Sequence, residues 1–224
     1  MKFLPVLYFV IVVSCSGQNN NQSDKISNQV FTSFLNTFSK KTLPLILDRK
    51  TVFGLSGNVF DSIARTYKVN HFPKFDQSFC IFLPEEIRKN TPINRFRCLF
   101  ALPSMYNINL LIIAQDFFQD DEQNALKLFL GSYDKEGKIL GFLEIAGYTI
   151  DIAEQFAEIK GEYTINSYIY RFKNAPDNNF PTLFYLLETQ KLFRMENNGT
   201  FLKIQENTKE GYFRGNWSGY FLVK

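Results

Sequence analysis

Histidine is almost absent from this 224-residue sequence, in which His71 is the only one. A metal site built from several histidines is therefore excluded, and a Ser-His-Asp or Cys-His centre would have to include His71. No serine lies in a G-x-S-x-G turn, and no glycine-rich loop has the spacing that binds phosphate. The sequence thus contains no recognisable catalytic motif, cofactor site or metal site, and whether the chain is an enzyme stays open.

A run of basic residues is also missing. The 25 lysines and arginines are scattered among 22 acidic residues, and the formal net charge is +3. Proteins that follow a phosphate backbone concentrate their positive charge on one face or in one segment. We therefore expect no nucleic-acid partner.

The apolar run at the start of the chain is too short to cross a bilayer. Lys2 precedes it, residues 3–13 are almost all apolar, and Ser14-Cys15 closes it. A membrane-spanning helix needs about 20 apolar residues, whereas a cleaved export signal needs only a short run followed by a small residue. The small residue directly before Cys15 resembles the lipobox of bacterial lipoproteins. The resemblance implies a signal peptide over residues 1–14 and an acylated Cys15, with chains such as palmitate, that anchors the protein in a membrane.

The segment after Cys15 bears on which membrane that is. It begins with Ser16-Gly17-Gln18, without the aspartate that retains enteric lipoproteins in the inner membrane. It also lacks the acidic cluster that often precedes surface exposure in lipoproteins of the Bacteroidota. The resemblance therefore implies an outer-membrane lipoprotein of the cell envelope in the periplasmic leaflet. The richness in Phe, Asn and Lys is similar to that of uncharacterised outer-membrane lipoproteins of the Bacteroidota.

The remaining chain divides into a tether and one domain. Residues 15–27 are rich in Asn, Gln and Ser with almost no apolar side chain, so we predict a lipidated flexible tether there. A single domain follows over residues 28–224. Apolar residues at helical spacing over 30–38 predict a helix at its start, and residues 57–66 predict a second, short helix.

From residue 78 onward the pattern is typical of strands, because short apolar runs rich in β-branched and aromatic residues alternate with turn residues. The clearest feature is a hairpin with strands at 127–133 and 138–145, whose loop Asp134 to Gly137 has the composition of a type I turn with Gly at the left-handed position. We predict a mainly β (α+β) fold, an antiparallel meander sheet or open barrel with one or two N-terminal helices. The other predicted strands span residues 79–83, 97–102, 109–114, 163–172, 183–187, 191–195, 200–204 and 211–215, with a loop at 197–199.

With Cys15 acylated, Cys80 and Cys98 are the two remaining thiols. In an oxidising compartment the two can form a disulfide, which would stabilise the fold by about 3 kcal/mol. The alternative is a pair of buried free thiols, since each lies within an apolar run. The sequence leaves both alternatives open.

Aromatic residues give the one positive indication of binding, because exposed rings on a sheet stack on sugars or cover an apolar partner. Tyr168 and Tyr170 share one face of a strand, and Ile165 and Ile169 share the other. Most rings at this aromatic content are expected in the core. The candidate binding face consists of Tyr163, Tyr168, Tyr170, Tyr212, Trp217 and Tyr220.

Three functions are compatible with these features. The absence of catalytic motifs favours a non-catalytic binding or scaffold module that engages an envelope protein or a glycan. A carboxylate-dependent periplasmic hydrolase is the first alternative, and it would need two of Asp116, Glu144, Asp151 and Glu154 to face each other across a cleft about 5 to 10 Å wide. A carrier of lipid or another small apolar ligand is the second alternative, and it would need an unfilled apolar cavity.

Overall fold

The computed structural model describes residues 20–56, 72–116, 125–149, 152–173, 183–216 and 218–223. Three α-helices, α1 (Asn20–Asn36), α2 (Arg49–Ser56) and α3 (Glu85–Asn90), and two 3-10 helices, Gln77–Phe82 and Ile93–Arg95, lie before or between the strands. The strands are β1 (Ser39–Lys40), β2 (Leu45–Leu47), β3 (Phe96–Met105), β4 (Ile108–Asp116), β5 (Ala125–Tyr133), β6 (Ile139–Thr149), β7 (Ala153–Ile159), β8 (Thr164–Phe172), β9 (Phe184–Met195), β10 (Phe201–Asn216) and β11 (Gly219–Leu222).

All eleven strands belong to one sheet, in which β3 to β11 pair antiparallel with their neighbours in chain order. The short β1 adds to β3 in parallel, and β2 pairs with β7. The sheet stays open and does not close into a barrel. The predicted mainly β fold with an antiparallel meander is therefore confirmed. None of the helices in the described part of the chain is long and apolar enough to span a bilayer.

The predicted hairpin between β5 and β6 is present, and its turn is built by Asp134. The carboxylate of Asp134 accepts hydrogen bonds from the amides of Glu136 and Lys138, and Gly137 adopts a φ of +89°. A Cβ at Gly137 would also lie 2.7 Å from the ring of Phe31 in α1. Glycine is thus required there both by the backbone conformation and by the close approach of α1.

Two sequence-based assignments at the front of the domain were wrong. Residues 20–27 of the predicted tether are helical, because α1 begins at Asn20; extending a helix N-terminally from an amphipathic part costs little once that part is formed. Residues 79–83 were predicted as a strand, yet Gln77–Phe82 is a 3-10 helix whose first turn is capped by the carboxylate of Asp76. The short helix predicted over residues 57–66 lies outside the described residues.

The sheet carries apolar side chains on both faces. On one face of β3, β4 and β5, α1 and the 3-10 helix Gln77–Phe82 supply a cluster of phenylalanines. The ring of Phe34 is fully buried there and lies 4.7 Å from that of Phe82 and 6.1 Å from that of Tyr133. The larger core includes the side chains of Val52 and Leu55 in α2 and residues from β3 to β11.

β6 and β7 diverge after only three cross-strand residue pairs, from Gly147–Gln155 to Thr149–Ala153. Beyond them β7 pairs with β2 instead. Side chains replace part of the missing ladder: the amide of Gln155 donates to the carbonyl of Glu144 at 3.2 Å, and the hydroxyl of Ser167 donates to the carbonyl of Ile145 at 3.4 Å. These side-chain bonds give partners to carbonyls of β6 that the divergence leaves without a ladder bond to β7. We call this divergence the splay.

Candidate functional site

The predicted tyrosine face is largely part of the core. Tyr163, Tyr170, Tyr212 and Tyr220 are buried, Tyr168 is half-buried, and Trp217 lies outside the described residues. Tyr168 and Tyr170 do share a face, as their cross-strand partners in β7 show.

Tyr170 packs against the rings of Phe156, Phe213 and Tyr220, and Arg49 of α2 lies over Tyr220 at 5.2 Å from the ring centre. The described rings of this set therefore hold α2 on the sheet, and they do not form an exposed stacking platform.

The candidate carboxylates Glu144 and Glu154 are not brought together. The Glu154 side chain points toward α2, where its carboxylate lies 3.0 Å from the guanidinium of Arg49. Glu144 lies across the sheet, where its carboxylate pairs with the ammonium of Lys127 at 3.1 Å. The side chain of Asp116 and the whole of Asp151 lie outside the described part of the structure, as do His71 and Cys15.

Glu154 is the most strongly buried carboxylate in an ion pair among the described residues. Its desolvation raises the pKa above the ordinary value of 4.5, while the charge and hydrogen bonds of Arg49 oppose that rise. The hydroxyl of Tyr220 also lowers the pKa of Glu154. Burial raises the pKa of Tyr220, and the negative charge of Glu154 raises it further. Arg49, Glu154 and Tyr220 thus join α2, β7 and β11, and their polar groups interact with one another.

Cys80 and Cys98 are free thiols in the structure, so no disulfide joins them. Cys80 is half-buried in the 3-10 helix, whereas Cys98 is fully buried in β3. Desolvation raises the pKa of Cys98 to about 12. A thiol with such a pKa is almost wholly protonated at neutral pH and is a poor nucleophile.

A groove of about 390 Å³ lies at the splay, on the face of the sheet opposite α2. Gly147, Gln155 and Ile169 occupy paired positions on β6, β7 and β8, so they share this face. Gln155 is held by a 2.9 Å hydrogen bond to the hydroxyl of the buried Ser167. The charged residues that line the groove are Lys127, Glu144, Glu154, Arg171 and Lys191, and the large apolar ones include Leu143, Ile169 and Phe193. The carboxylate of Glu154 itself is turned to Arg49 of α2.

The positive charges of the groove are only partly neutralised. Lys127 pairs with Glu144, but neither Arg171 nor Lys191 has a carboxylate within 4.0 Å among the described residues. The positive charges of Lys191 and Arg171 act on the carboxylate of Glu206. The hydrogen bond from Lys203 lowers the pKa of Glu206 most, and the charges of Lys191 and Arg171 lower it further. Two cations beside apolar side chains suit a small anion that also has an apolar part.

The groove was not predicted from the sequence. Lys127 and Arg171 each interrupt an otherwise apolar or aromatic stretch, which is the signal that was present, whereas Lys191 follows a polar segment. Placing the three together required the splay between β6 and β7, and β7 itself was not predicted. Within the described residues, no three His, Cys, Asp or Glu side chains are grouped closely enough to hold a metal ion.

No family model matches the chain, and comparison with the curated proteins and with the solved structures found no match.

Proposed function

We propose that this protein is a lipid-anchored, non-catalytic binding module of the cell envelope, which holds a small organic anion in the groove at the splay. The observation that carries the proposal is the pair of cations Arg171 and Lys191, which line the groove and have no carboxylate within 4.0 Å among the described residues. Glu206 is the cross-strand neighbour of Lys191 but is paired with Lys203. Ile169 and Phe193 supply the apolar contact beside them. The resemblance of residues 1–15 to a lipoprotein signal supports the anchor, because an acylated Cys15 would hold the domain next to a membrane surface.

The two alternative functions have less support. A carboxylate-dependent hydrolase needs two facing acids, whereas Glu144 and Glu154 point to opposite faces and each is held in an ion pair. A carrier of an apolar ligand needs an unfilled apolar cavity, whereas charged and amide side chains line much of this groove.

Binding is tested by fluorescence titration with 8-anilinonaphthalene-1-sulfonate, which combines one sulfonate with an aromatic part. We expect saturable binding that weakens about tenfold or more in Arg171→Gln and in Lys191→Gln, because each removes a charge-assisted contact. Lys173→Gln is the matched control, since Lys173 follows β8 but pairs with Glu210 away from the groove. Equal affinity of all four proteins would refute an anion site here, and a neutral apolar probe that binds more tightly would favour the carrier.

Anchoring is tested separately by growing bacteria that express the full chain with an alkyne-labelled fatty acid. We expect the label on the wild-type chain in the membrane fraction and no label on Cys15→Ser. Equal labelling of both chains, or a wild-type chain without label, would contradict acylation at Cys15. Because the groove lies far along the sequence from the leader, failure of one test leaves the other part of the proposal standing.

A further inference from the structure

Among the described residues, no strand covers the outer edge of β10 along most of its length. β10 pairs with β9 from Phe201 to Phe213, but on its other side it pairs with β11 only over Phe213–Asn216. Val223 extends that pairing by one bond, from its amide to the carbonyl of Tyr212. In the part of β10 that precedes Tyr212, no described residue pairs with this edge. The side chains of residues 205–210 are all exposed.

The bond to Tyr212 shows which backbone groups face the open edge. In an antiparallel sheet, alternate residues direct both their amide and their carbonyl to the same side. The carbonyl of Tyr212 points toward β11, and the register with β9 is regular over this stretch. The backbone amides and carbonyls of Glu210, Thr208 and Glu206 therefore point toward the open edge as well. The hydroxyls of Thr208 and Thr189 approach to 3.5 Å, as expected where two opposed residues do not exchange backbone bonds.

Water can satisfy these exposed groups one by one, but a row of alternating donors and acceptors is also the template for pairing with another strand. We infer that the occupant is a second copy of this chain, paired antiparallel along β10 about a two-fold axis at Asn207. An isologous pairing of this kind is closed, so it consumes both open edges and does not continue into a fibre.

The charges along β10 select the position of the axis. In an antiparallel pair of identical strands, residues that face the edge must oppose one another, so the axis passes through a residue. An axis at Asn207 sets Glu206 opposite Thr208 of the second copy and Lys209 opposite Gln205. An axis at Glu206 would place the two copies of Glu206 opposite each other, and an axis at Lys209 would do the same for Lys209. An axis at Thr208 would place Glu206 of one copy opposite Glu210 of the other.

The charged side chains of β10 do not prevent this pairing. They lie on the two faces of the sheet, and edge-to-edge pairing covers the backbone while leaving both faces in water. The axis at Asn207 gives four backbone hydrogen bonds, two at each Glu206–Thr208 pair, which follows from the ladder pattern of an antiparallel sheet. Toward the start of β10 the irregular register between Lys203 and Gln205 limits the pairing.

A disulfide trap tests the axis directly in the full chain carrying Cys80→Ser. Asn207 would face its own copy with its Cα about 4.5 Å away, within reach of a disulfide. We therefore expect Asn207→Cys to give a covalent dimer on mild oxidation. Lys209→Cys is the matched control, because the two copies of residue 209 would be separated by four residues, roughly 13 Å along the strand. No dimer from Asn207→Cys, or equal dimer from both variants, would overturn the inference.

Sedimentation equilibrium provides the second measurement. Thr208→Pro removes an amide that faces the open edge and spares the bonds to β9, so the monomer should keep its fold and lose self-association. We expect a concentration-dependent dimer for the wild-type chain and none for Thr208→Pro, with both showing the same far-UV circular dichroism. A wild-type chain that stays monomeric, or that pairs only with a foreign peptide, would refute self-pairing. These outcomes do not depend on a ligand in the groove.

Discussion

The ion pair between Arg49 and Glu154 predicts that removing the base costs far more stability than removing the acid. Glu154 is nearly inaccessible, with 7% of its side chain exposed, whereas Arg49 keeps 25% of its side chain in water. Arg49→Met leaves a buried carboxylate without its counter-ion, which costs about 3–5 kcal/mol in the free energy of unfolding. Glu154→Gln keeps the shape and leaves Arg49 over the rings of Phe53 and Tyr220, so we expect a cost of about 1 kcal/mol.

The pH dependence follows from the raised pKa of Glu154. An acid whose folded pKa lies above its unfolded value of about 4.5 binds its proton more tightly in the folded chain. Its favourable contribution is therefore complete below pH 4.5 and is lost as the pH rises through the folded pKa. In Arg49→Met the pKa should rise further, so the loss between pH 4 and pH 7 should be larger than in the wild-type chain.

Urea denaturation of the wild-type chain, Arg49→Met, Glu154→Gln and the double variant at pH 4, 5.5 and 7 measures these quantities. Differences from the wild-type chain at each pH remove the contribution of the other acids. We expect Arg49→Met to recover most of its loss at pH 4, and the double variant to be close to the wild-type chain because neither charge is left buried alone. A cost for Glu154→Gln at pH 7 equal to that of Arg49→Met, or no recovery of Arg49→Met at pH 4, would refute this explanation.

Three further predictions concern the sheet, its first helix and its thiols. Gly147→Ala should destabilise by several kcal/mol in chemical denaturation, because φ is +151° and a Cβ there would lie 2.2 Å from a backbone carbonyl; Gly161→Ala, with no atom within 4 Å, should be neutral or slightly stabilising. Phe34→Ala should cost about 3–5 kcal/mol and make α1 sensitive to protease, whereas intact α1 in that variant would contradict the packing described. Of the two described thiols, Cys80 should react with a thiol reagent at pH 8 and Cys98 only in denaturant, as measured by peptide mass; early labelling of Cys98 would contradict its burial.

Local signals were sufficient to predict much of the meander. Asp134 and Gly137 carry the β5–β6 turn within four residues, and the flanking strands alternate or run apolar as buried strands do. The predicted strands at 183–187 and 191–195 are one strand, as are those at 200–204 and 211–215, because β9 and β10 continue through charged segments. β10 is exposed on both faces there, so it has no alternation for a sequence pattern to detect.

The environment of the candidate tyrosine face was predictable only in part, because the element that covers this face comes from far away in the chain. Periodicity placed Tyr168 and Tyr170 on one face correctly, yet it does not say what lies over that face. The answer is α2, which begins at Arg49, about a hundred residues earlier. β7 was not predicted because Glu154 occupies a buried position where an apolar residue would be expected. The guanidinium of Arg49 pairs with the buried carboxylate there.

The splay also leaves the sheet as two sets of strands joined by only three residue pairs. Strands β3 to β6 and strands β7 to β11 are each contiguous in the chain, so each set assembles by adding adjacent hairpins with short loop closures. The segment from β1 to β2 is the exception, since Ser39–Lys40 pairs with the first set and Leu45–Leu47 with the second. This short strap links the two sets through pairings distant in sequence, and we expect it to dock late and to exchange its amide hydrogens early.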